Sequence, residues 1–302
     1  MDIGEGLTHS YAMSGSSAIR SKQIPSLPPL NVQNLLRQHG LRPHKGLGQN
    51  FLQDDHMLRK IIALAEIEPG DTILEVGAGL GSLTRYLALV ARQVVAVELD
   101  RNLFKILESI CSPYRNIHLI SGDILELPLP ELITSEDFKV VANIPYYITS
   151  ALLRRLLESE PRPHRLVLTV QKEVARRICA RPGDMSLLAL SVQVYGEPQI
   201  KMAIPASAFY PAPKVDSAVV CVDVHPEPAI PAGLLDTFFT LAKDGFRQKR
   251  KMLHNALASR LPRNDTTRYL EAAGIDSNRR AESLSIQEWG KLTEVFASLR
   301  KM

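Results

Sequence analysis

The chain has 302 residues, 45% of them hydrophobic, and a formal net charge of +4. That is long enough for one α/β domain and a smaller companion, with the composition of a globular protein that has a substantial core. No apolar run approaches the roughly 20 residues of a membrane span, the N-terminal stretch lacks the apolar centre of a secretory signal, and Cys111, Cys179 and Cys221 are too scattered for a disulfide framework or a zinc site.

A reducing cytoplasm is the simple reading of that cysteine usage. So small a net charge leaves any affinity for nucleic acid to local clusters.

In chain order, residues 1–40 predict an extension: a Ser-, Gly- and Pro-rich disordered tail ending at Pro25–Leu30, then a short helix over Asn31–Gly40. Pro43–Leu52 is a Gly-rich basic segment, and Asp54–Ala65 has helical apolar spacing with Asp54 as N-cap. Thr72–Val76 predicts a strand that enters a glycine loop, followed by a helix at Ser82–Leu89. The alternation continues with a strand at Gln93–Val97, a helix at Arg101–Ile110 and a strand at Ile117–Ser121. A strand at Val140–Asn143, with the apolar run from Phe138 leading into it, precedes a helix at Ser150–Leu157. A strand at Leu166–Val170 and a helix at Lys172–Ile178 follow. Leu188–Val194 and Ala218–Val224 are strand-like runs separated by a Pro- and Phe-containing loop. Strands alternating with helices imply a mostly parallel sheet covered on both faces.

Composition changes at His225-Pro226-Glu227-Pro228 and Pro231, which marks a linker. Beyond it the pattern is helical at Leu234–Asp244, Lys249–Arg260, Thr266–Ala273 and Ile286–Leu299, with Ser285 as N-cap of the last. The expected organisation is an α/β domain over residues 41–225 and a helical domain over residues 232–302.

Two segments carry chemistry. Glu75-Val76-Gly77-Ala78-Gly79-Leu80-Gly81 joins the first strand to its helix, and such glycines permit a tight turn and close ligand approach. A dinucleotide fingerprint would want glycine at 77, 79 and 82, but Ser stands at 82. Glu75 would repel a pyrophosphate and tolerate a cation. Glu98 closes the second strand and is placed to accept ribose hydroxyls. Asp123 closes the third and is placed to accept from an adenine amine, with Ile124 against the ring. The ligand that fits is an adenosine with a positively charged tail, S-adenosylmethionine.

The second segment, Asn143-Ile144-Pro145-Tyr146, ends a strand where open α/β sheets bind ligands. The Asn oxygen accepts from an exocyclic amine, Pro145 biases Ile144 towards an extended conformation, and Tyr146 offers a stacking face. No Ser-His-Asp or Cys-His arrangement and no metal is needed for the chemistry these residues suit.

With these motifs the chain resembles the ribosomal RNA adenine dimethyltransferases, the KsgA/RsmA family, from about Arg42 to the C-terminus. The marks are Lys45-Gly-Leu-Gly-Gln-Asn-Phe-Leu52, the glycine loop, Asn143–Tyr146, Gln171-Lys-Glu-Val-Ala175 and Phe209-Tyr-Pro-Ala-Pro-Lys-Val-Asp-Ser217. Tyr147 departs from the Asn that bacterial members often carry. The resemblance implies a Rossmann-like S-adenosylmethionine-dependent methyltransferase domain with a seven-stranded sheet. It implies cofactor contacts at Asn50, Leu52, Gly77, Glu98, Asp123 and Asn143, and Phe209 covering one face of the target base. It implies dimethylation of the N6 amines of two adjacent adenosines near the 3′ end of small-subunit ribosomal RNA, on an immature subunit and by a monomer. The competing readings are a large-subunit RNA methylase of the antibiotic-resistance type, a non-catalytic RNA-binding assembly factor, and a nicotinamide dehydrogenase.

Lys243, Arg247 and Lys251 recur at helical spacing, with Lys249 and Arg250 beside them, and predict a basic patch for backbone phosphates. Arg154, Arg155, Arg176, Arg177 and Arg181 would extend that field on the main domain.

Overall fold

Apolar runs that alternate with amphipathic helices become, in the computed structural model, parallel strands with their crossovers; the structure describes residues 24–248, 250–259 and 263–299. The chain begins with α1 (Val32–Gln38), the two-residue strand β1 (Phe51–Leu52) and α2 (Asp55–Ala65). Then come β2 (Thr72–Val76), α3 (Ser82–Ala88), β3 (Gln93–Glu98), α4 (Arg101–Cys111), β4 (Ile117–Ser121), α5 (Leu129–Leu132), β5 (Phe138–Asn143), α6 (Thr149–Leu157), β6 (Arg165–Gln171) and α7 (Lys172–Ile178). The second half holds α8 (Leu187–Gln193), β7 (Gly196–Ile204), the short β8 (Phe209–Tyr210), β9 (Ser217–Val224) and the helices α9 (Leu235–Phe246), α10 (Leu253–Ala256), α11 (Arg263–Ala272) and α12 (Ile286–Leu299).

Seven strands form one sheet in the order β4-β3-β2-β5-β6-β9-β7. The first five are parallel, and β9 runs antiparallel between β6 and β7. This is a Rossmann-like methyltransferase sheet. Its strand order reverses between β2 and β5, so their carboxyl ends open a crevice. The glycine loop leaves one of those strands and Asn143 ends the other.

The central strands are buried on both faces, which is why they read as continuous apolar runs rather than alternations. Leu74, Val76, Val140 and Ala142 pack into one core layer with α6 and α8. Ile73 and Val141 point the other way, into a layer with α2 and α3. The first of these layers runs on without a break into Phe238, Leu241, Trp289 and Phe296 of the C-terminal helices. Gly183 and Met185 also donate to the Glu282 carbonyl, at 2.9 and 3.1 Å, which ties the loop before α8 to the C-terminal part.

Several expectations need correction. Leu188–Val194 is a helix: Ser186 caps α8 by accepting from the Ala189 amide at 3.2 Å. Both of its sides are buried, so neither a period of 2 nor of 3.6 shows in the sequence. The strand that flanks β9 is instead β7, an edge strand whose Pro198 and exposed charges disguise it. The end of the expected disordered tail, residues 24–30, lies against α3: the Leu27 amide donates to the Tyr86 hydroxyl at 3.0 Å and Arg85 donates to the Pro28 carbonyl at 2.8 Å. Residues 1–23 lie outside the described residues.

The helix expected over Lys249–Arg260 is not continuous with α9 or within itself. Helix α9 stops at Phe246, and the chain turns to bridge Met252 to Arg280 before the short α10. The spacing of Lys243, Arg247 and Lys251 is therefore not that of one helical face. Lys243 is in the last turn of α9, Arg247 is its C-cap, and Arg250 and Lys251 sit in the turn beyond, all exposed; Lys249 lies outside the described residues. Among the described residues no helix is long and apolar enough to cross a membrane.

Candidate active site

Between the carboxyl ends of β2 and β5 lies an open cavity of about 1000 Å³, lined by Asn50, Leu52, Gly77, Glu98, Asp123 and Asn143–Tyr146, among others. Its floor is the turn after β2. Gly77 has φ +74° and Gly79 φ +59°, a left-handed backbone that favours glycine. A Cβ at Gly77 would meet the Pro145 ring at 3.4 Å, and one at Gly79 would meet the Phe51 ring at 3.1 Å. The turn is thus shaped to let backbone approach both the ligand and the opposite wall.

Glu98 stands over this turn. One of its carboxylate oxygens accepts from the Gly79 amide at 2.6 Å, the other from the Asp100 amide at 2.9 Å. Burial raises its pKa against the pull of those two bonds. Asp123 is held more loosely, with one oxygen accepting from the Leu125 amide at 2.8 Å. Ile124, 3% exposed, forms the wall beside it. Glu75, at the end of β2, also lines the cavity and is 1% exposed.

Asn143 closes β5. Its side-chain NH2 donates to the Asn50 carbonyl at 3.0 Å, while the Asn50 side chain donates to the Gly48 carbonyl at 3.0 Å. The Gly-rich segment is therefore laid across the cavity and fixes which way the Asn143 amide faces. With the NH2 engaged, the Oδ1 acceptor of Asn143 has no protein donor among the described residues. The Ile144 amide donates to the Thr169 carbonyl of β6 at 3.2 Å, which fixes the backbone that follows. The Tyr146 hydroxyl is 2.8 Å from the Ser217 hydroxyl at the start of β9, so its ring is anchored at both ends. Burial raises the Tyr146 pKa.

Ten of the eleven expected catalytic and cofactor positions, counting Asn143 twice, thus fall on this one cavity. Phe209 does not. It is 3% exposed and packs in the core with Leu52, its partner across the β1–β8 pair. Its neighbour Tyr210 packs elsewhere, with the cluster that contains Phe51 and Leu80. Alternation along the short strand sends the two rings to opposite sides, and Phe209 takes the inner one. The aromatic at the rim is Tyr147, 56% exposed. A Cβ at Gly48 would touch its ring edge at 3.5 Å. Sequence reasoning marks Tyr147 only as a departure from the family; an aromatic directly after the Tyr146 platform is the available signal.

The cavity suits an adenosyl cofactor with a cationic tail. Two acids close adjacent strands, the turn runs through left-handed glycines at 77 and 79 with the Phe51 ring tight against the second, and a buried Glu75 oxygen is left without a hydrogen-bond partner. The residues that would hold it are Gly77, Glu98 and Asp123, with Asn50 and Leu52 from the overlying segment.

Comparisons with known proteins agree with this geometry. The family model described as ribosomal RNA adenine dimethylase matches residues 40–298. A ribosomal RNA small subunit methyltransferase A of Dehalococcoides mccartyi (strain CBDB1) is 47% identical, covering 91% of this chain and 96% of its own. The protein of that name from Alkaliphilus metalliredigens (strain QYMF) is 41% identical over 89% of this chain and 97% of its own. Among solved structures, a dimethyladenosine transferase from Plasmodium falciparum superposes with a TM-score of 0.71 at 27% identity, over 82% of this chain and 98% of its own. The 23S rRNA methyltransferase ErmE does so with 0.67 at 30% identity, over 82% of this chain and all of its own. A match from residue 40 to 298, over a sheet whose reversal point carries the expected glycine loop and Asn-Ile-Pro-Tyr, places the chain in the ribosomal RNA adenine dimethylase family.

Proposed function

We propose that this chain dimethylates the N6 amines of two adjacent adenosines near the 3′ end of small-subunit ribosomal RNA, acting on the immature subunit. S-adenosylmethionine supplies, when bound, a methyl group already activated by its positive sulfur. What remains for the protein is to bring a weak nucleophile into line with that carbon.

The observation that carries the reading is the Asn143 side chain. One hydrogen of its NH2 is held by the Asn50 carbonyl, which fixes how the amide faces and leaves its oxygen, without a protein donor among the described residues, to accept from an adenine amine. Together with the Ile144 carbonyl it would hold the amine hydrogens, turn the nitrogen lone pair towards the methyl, and stabilise positive charge as it develops. Tyr146, braced by Ser217, offers a face on which the purine stacks. The adenine must leave its own stack to reach this site. Phe209, by the family resemblance, would cover the other face; it is buried against Leu52, which lines the cavity, and would have to turn outward to reach the purine.

For the RNA, the exposed Lys243, Arg247, Arg250 and Lys251 at the end of α9 support backbone contact. Lys249 belongs with them by sequence. On the main domain, Arg154 is engaged with Glu158 and Arg155 with the Leu127 carbonyl, which leaves exposed Arg176, Arg177 and Arg181 to extend the field. The cysteine usage supports the cytoplasm, and a monomer is part of the same reading.

The test is methylation of immature small subunits with methyl-labelled cofactor, followed by mass mapping. Label on two neighbouring adenosines near the 3′ end is the expected result. Label on large-subunit RNA instead would transfer the activity to the antibiotic-resistance branch, and no label with intact cofactor binding would leave an assembly factor.

A further inference from the structure

The pocket at Asn143–Tyr146 takes one base at a time, whereas the proposed substrate offers two adjacent adenosines. Whichever base is in the pocket has left its stack, and its neighbour is left at the mouth with one face bare. The side chain that stands there is Tyr147. It lines the cavity, and at 56% it is the most exposed large hydrophobic or aromatic side chain among the described residues. Neither the cofactor contacts nor the grip on the target amine uses it.

Local geometry sends Tyr147 away from Tyr146. Residues Tyr146–Ile148 form one 3-10 turn. The Ile148 amide closes it on the Pro145 carbonyl at 3.1 Å, and the Thr149 hydroxyl donates to the Tyr146 carbonyl at 3.1 Å. With three residues per turn, consecutive side chains diverge by about 120°. Tyr146 reaches Ser217 at the start of β9, and Ile148 packs on the core layer of α6 and α8. Tyr147 takes the remaining direction, onto Gly48 of the overlying segment, where a Cβ would lie 3.5 Å from its ring. Backbone therefore backs the ring with no side chain between. Among the described residues the Tyr147 hydroxyl makes no hydrogen bond, so the ring is not tied into the fold as Tyr146 is. Burial first, then the charges of Asp123 and Glu98, raise its pKa, and the phenol is neutral. Two rings thus flank the mouth, one anchored and one open to solvent.

We propose that Tyr147 is a substrate-positioning residue whose ring stacks the nucleotide next to the adenosine held at Asn143–Tyr146, so that one adenosine of the pair is held at the mouth while the other is methylated. The inference rests on the RNA-adenine reading of the site and adds to it the place of the second base. A base left bare on one side gains an aromatic partner, and removing such a partner costs about 5- to 100-fold. Every base has a π-face, so the platform holds the neighbour without reading it, and the ring rather than the hydroxyl carries the effect. Fixing the neighbour also fixes the backbone that carries the target, which brings the amine into line with the methyl. The other group within range of the ring is the adenosyl half of the cofactor, because the charges of Asp123 and Glu98 act on the hydroxyl. A side chain more than half open to solvent stands at the mouth and not over the floor.

The test is a cycle of one protein change and one substrate change. Small subunits are rebuilt with a 3′-terminal RNA segment in which each adenosine of the pair, in turn, is replaced by an abasic nucleotide. Single-turnover methylation of the remaining adenosine is followed at saturating S-adenosylmethionine. The wild-type chain should lose about tenfold on at least one abasic substrate, relative to the same adenosine in the intact pair. Tyr147→Ala should lose about as much on the intact pair and nothing further on that abasic substrate, since both changes remove one stack. Tyr147→Phe should match the wild type throughout. A wild type indifferent to both abasic substrates, losses that multiply, or an unchanged rate in Tyr147→Ala would overturn the proposal. So would a Tyr147→Ala loss accompanied by weaker cofactor binding in calorimetry, which would move the ring to the cofactor. If a variant fails to fold, the wild-type arm decides alone. No methylation of the intact pair by the wild type would instead remove the reading on which the proposal rests.

Discussion

Asn143 spends its side-chain NH2 on a loop that is 93 residues away in sequence, and this one bond determines what the residue can do for a substrate. Asn143→Ala removes the acceptor and frees the Asn50 loop together. Methyl transfer is expected to fall about a hundredfold or more, as when a single charge-stabilising group is removed from a preorganised site. Single-turnover assay at saturating cofactor measures it; a loss smaller than about tenfold, roughly 1.4 kcal/mol, would strip the amide of its role. Glu75 carries a second prediction at this scale. Its folded pKa of about 8 lies above the ordinary 4.5, so between those values the folded chain holds a proton that the unfolded chain has lost. The stability tied to that proton is fully present below pH 4.5 and is lost as pH rises towards 8, by at most about 1.4 kcal/mol per pH unit. Denaturant unfolding of the cofactor-free chain at pH 5 and pH 8 should show a drop that is much smaller in Glu75→Gln, and equal drops in the two would place the ionisation elsewhere. Asn143, Ile144, Pro145, Tyr146 and the glycine turn are legible in the sequence because their chemistry is local. The Asn50–Asn143 bond is not, because only the fold brings the two together, and the burial of Phe209 turns on a two-residue strand pair that no periodicity announces.

Elements are legible where one side faces a core and the other water. Helix α4 buries Leu103, Ile106, Leu107 and Cys111 at helical spacing, and α2 does likewise with Leu58, Ile61, Ile62 and Ala65, each capped by the Asp that precedes it. The pattern misleads at α8 and β7, where that contrast vanishes. A helix buried all round and an edge strand guarded by Pro198 exchange the signals on which the distinction rests. Helix α9 shows how a single position sets the packing of two elements. Gly245 lies under the indole of Trp289, and a Cβ there would stand 2.7 Å from the ring's outer carbon. Trp289 is fully buried and cannot swing away. Gly245→Ala would gain about 1 kcal/mol of helix propensity but must displace α12, and overpacking of this kind costs about 1–3 kcal/mol. A net loss of stability is expected, read as a lower denaturant midpoint with an unchanged slope. A stabilised variant would mean that the packing of α9 on α12 yields easily.

Over the whole molecule, the sequence suggests two parts through a proline-rich change of composition, yet the core passes across it from the sheet into Phe238 and Trp289. A helical part that shares the sheet's core holds its surface in a fixed relation to the cavity, so a charge at the end of α9 would guide the RNA that the cavity must receive. The basic residues there are exposed on a turn and not along one helical face. They can still meet phosphates, because phosphate binding depends on charge and reach more than on helical register. Arg247→Ala with Lys251→Ala is therefore expected to weaken RNA binding at every sequence alike. It should also flatten the plot of log affinity against log salt by about 0.7–0.9 for each phosphate that the chain no longer neutralises. Cofactor affinity should not change, since neither residue lines the cavity. Filter binding of the small-subunit RNA fragment across a salt series measures both effects. A slope equal to that of the wild type would move the phosphate-binding surface to the exposed arginines on and after α7, where Arg176→Ala with Arg177→Ala should then produce the missing change.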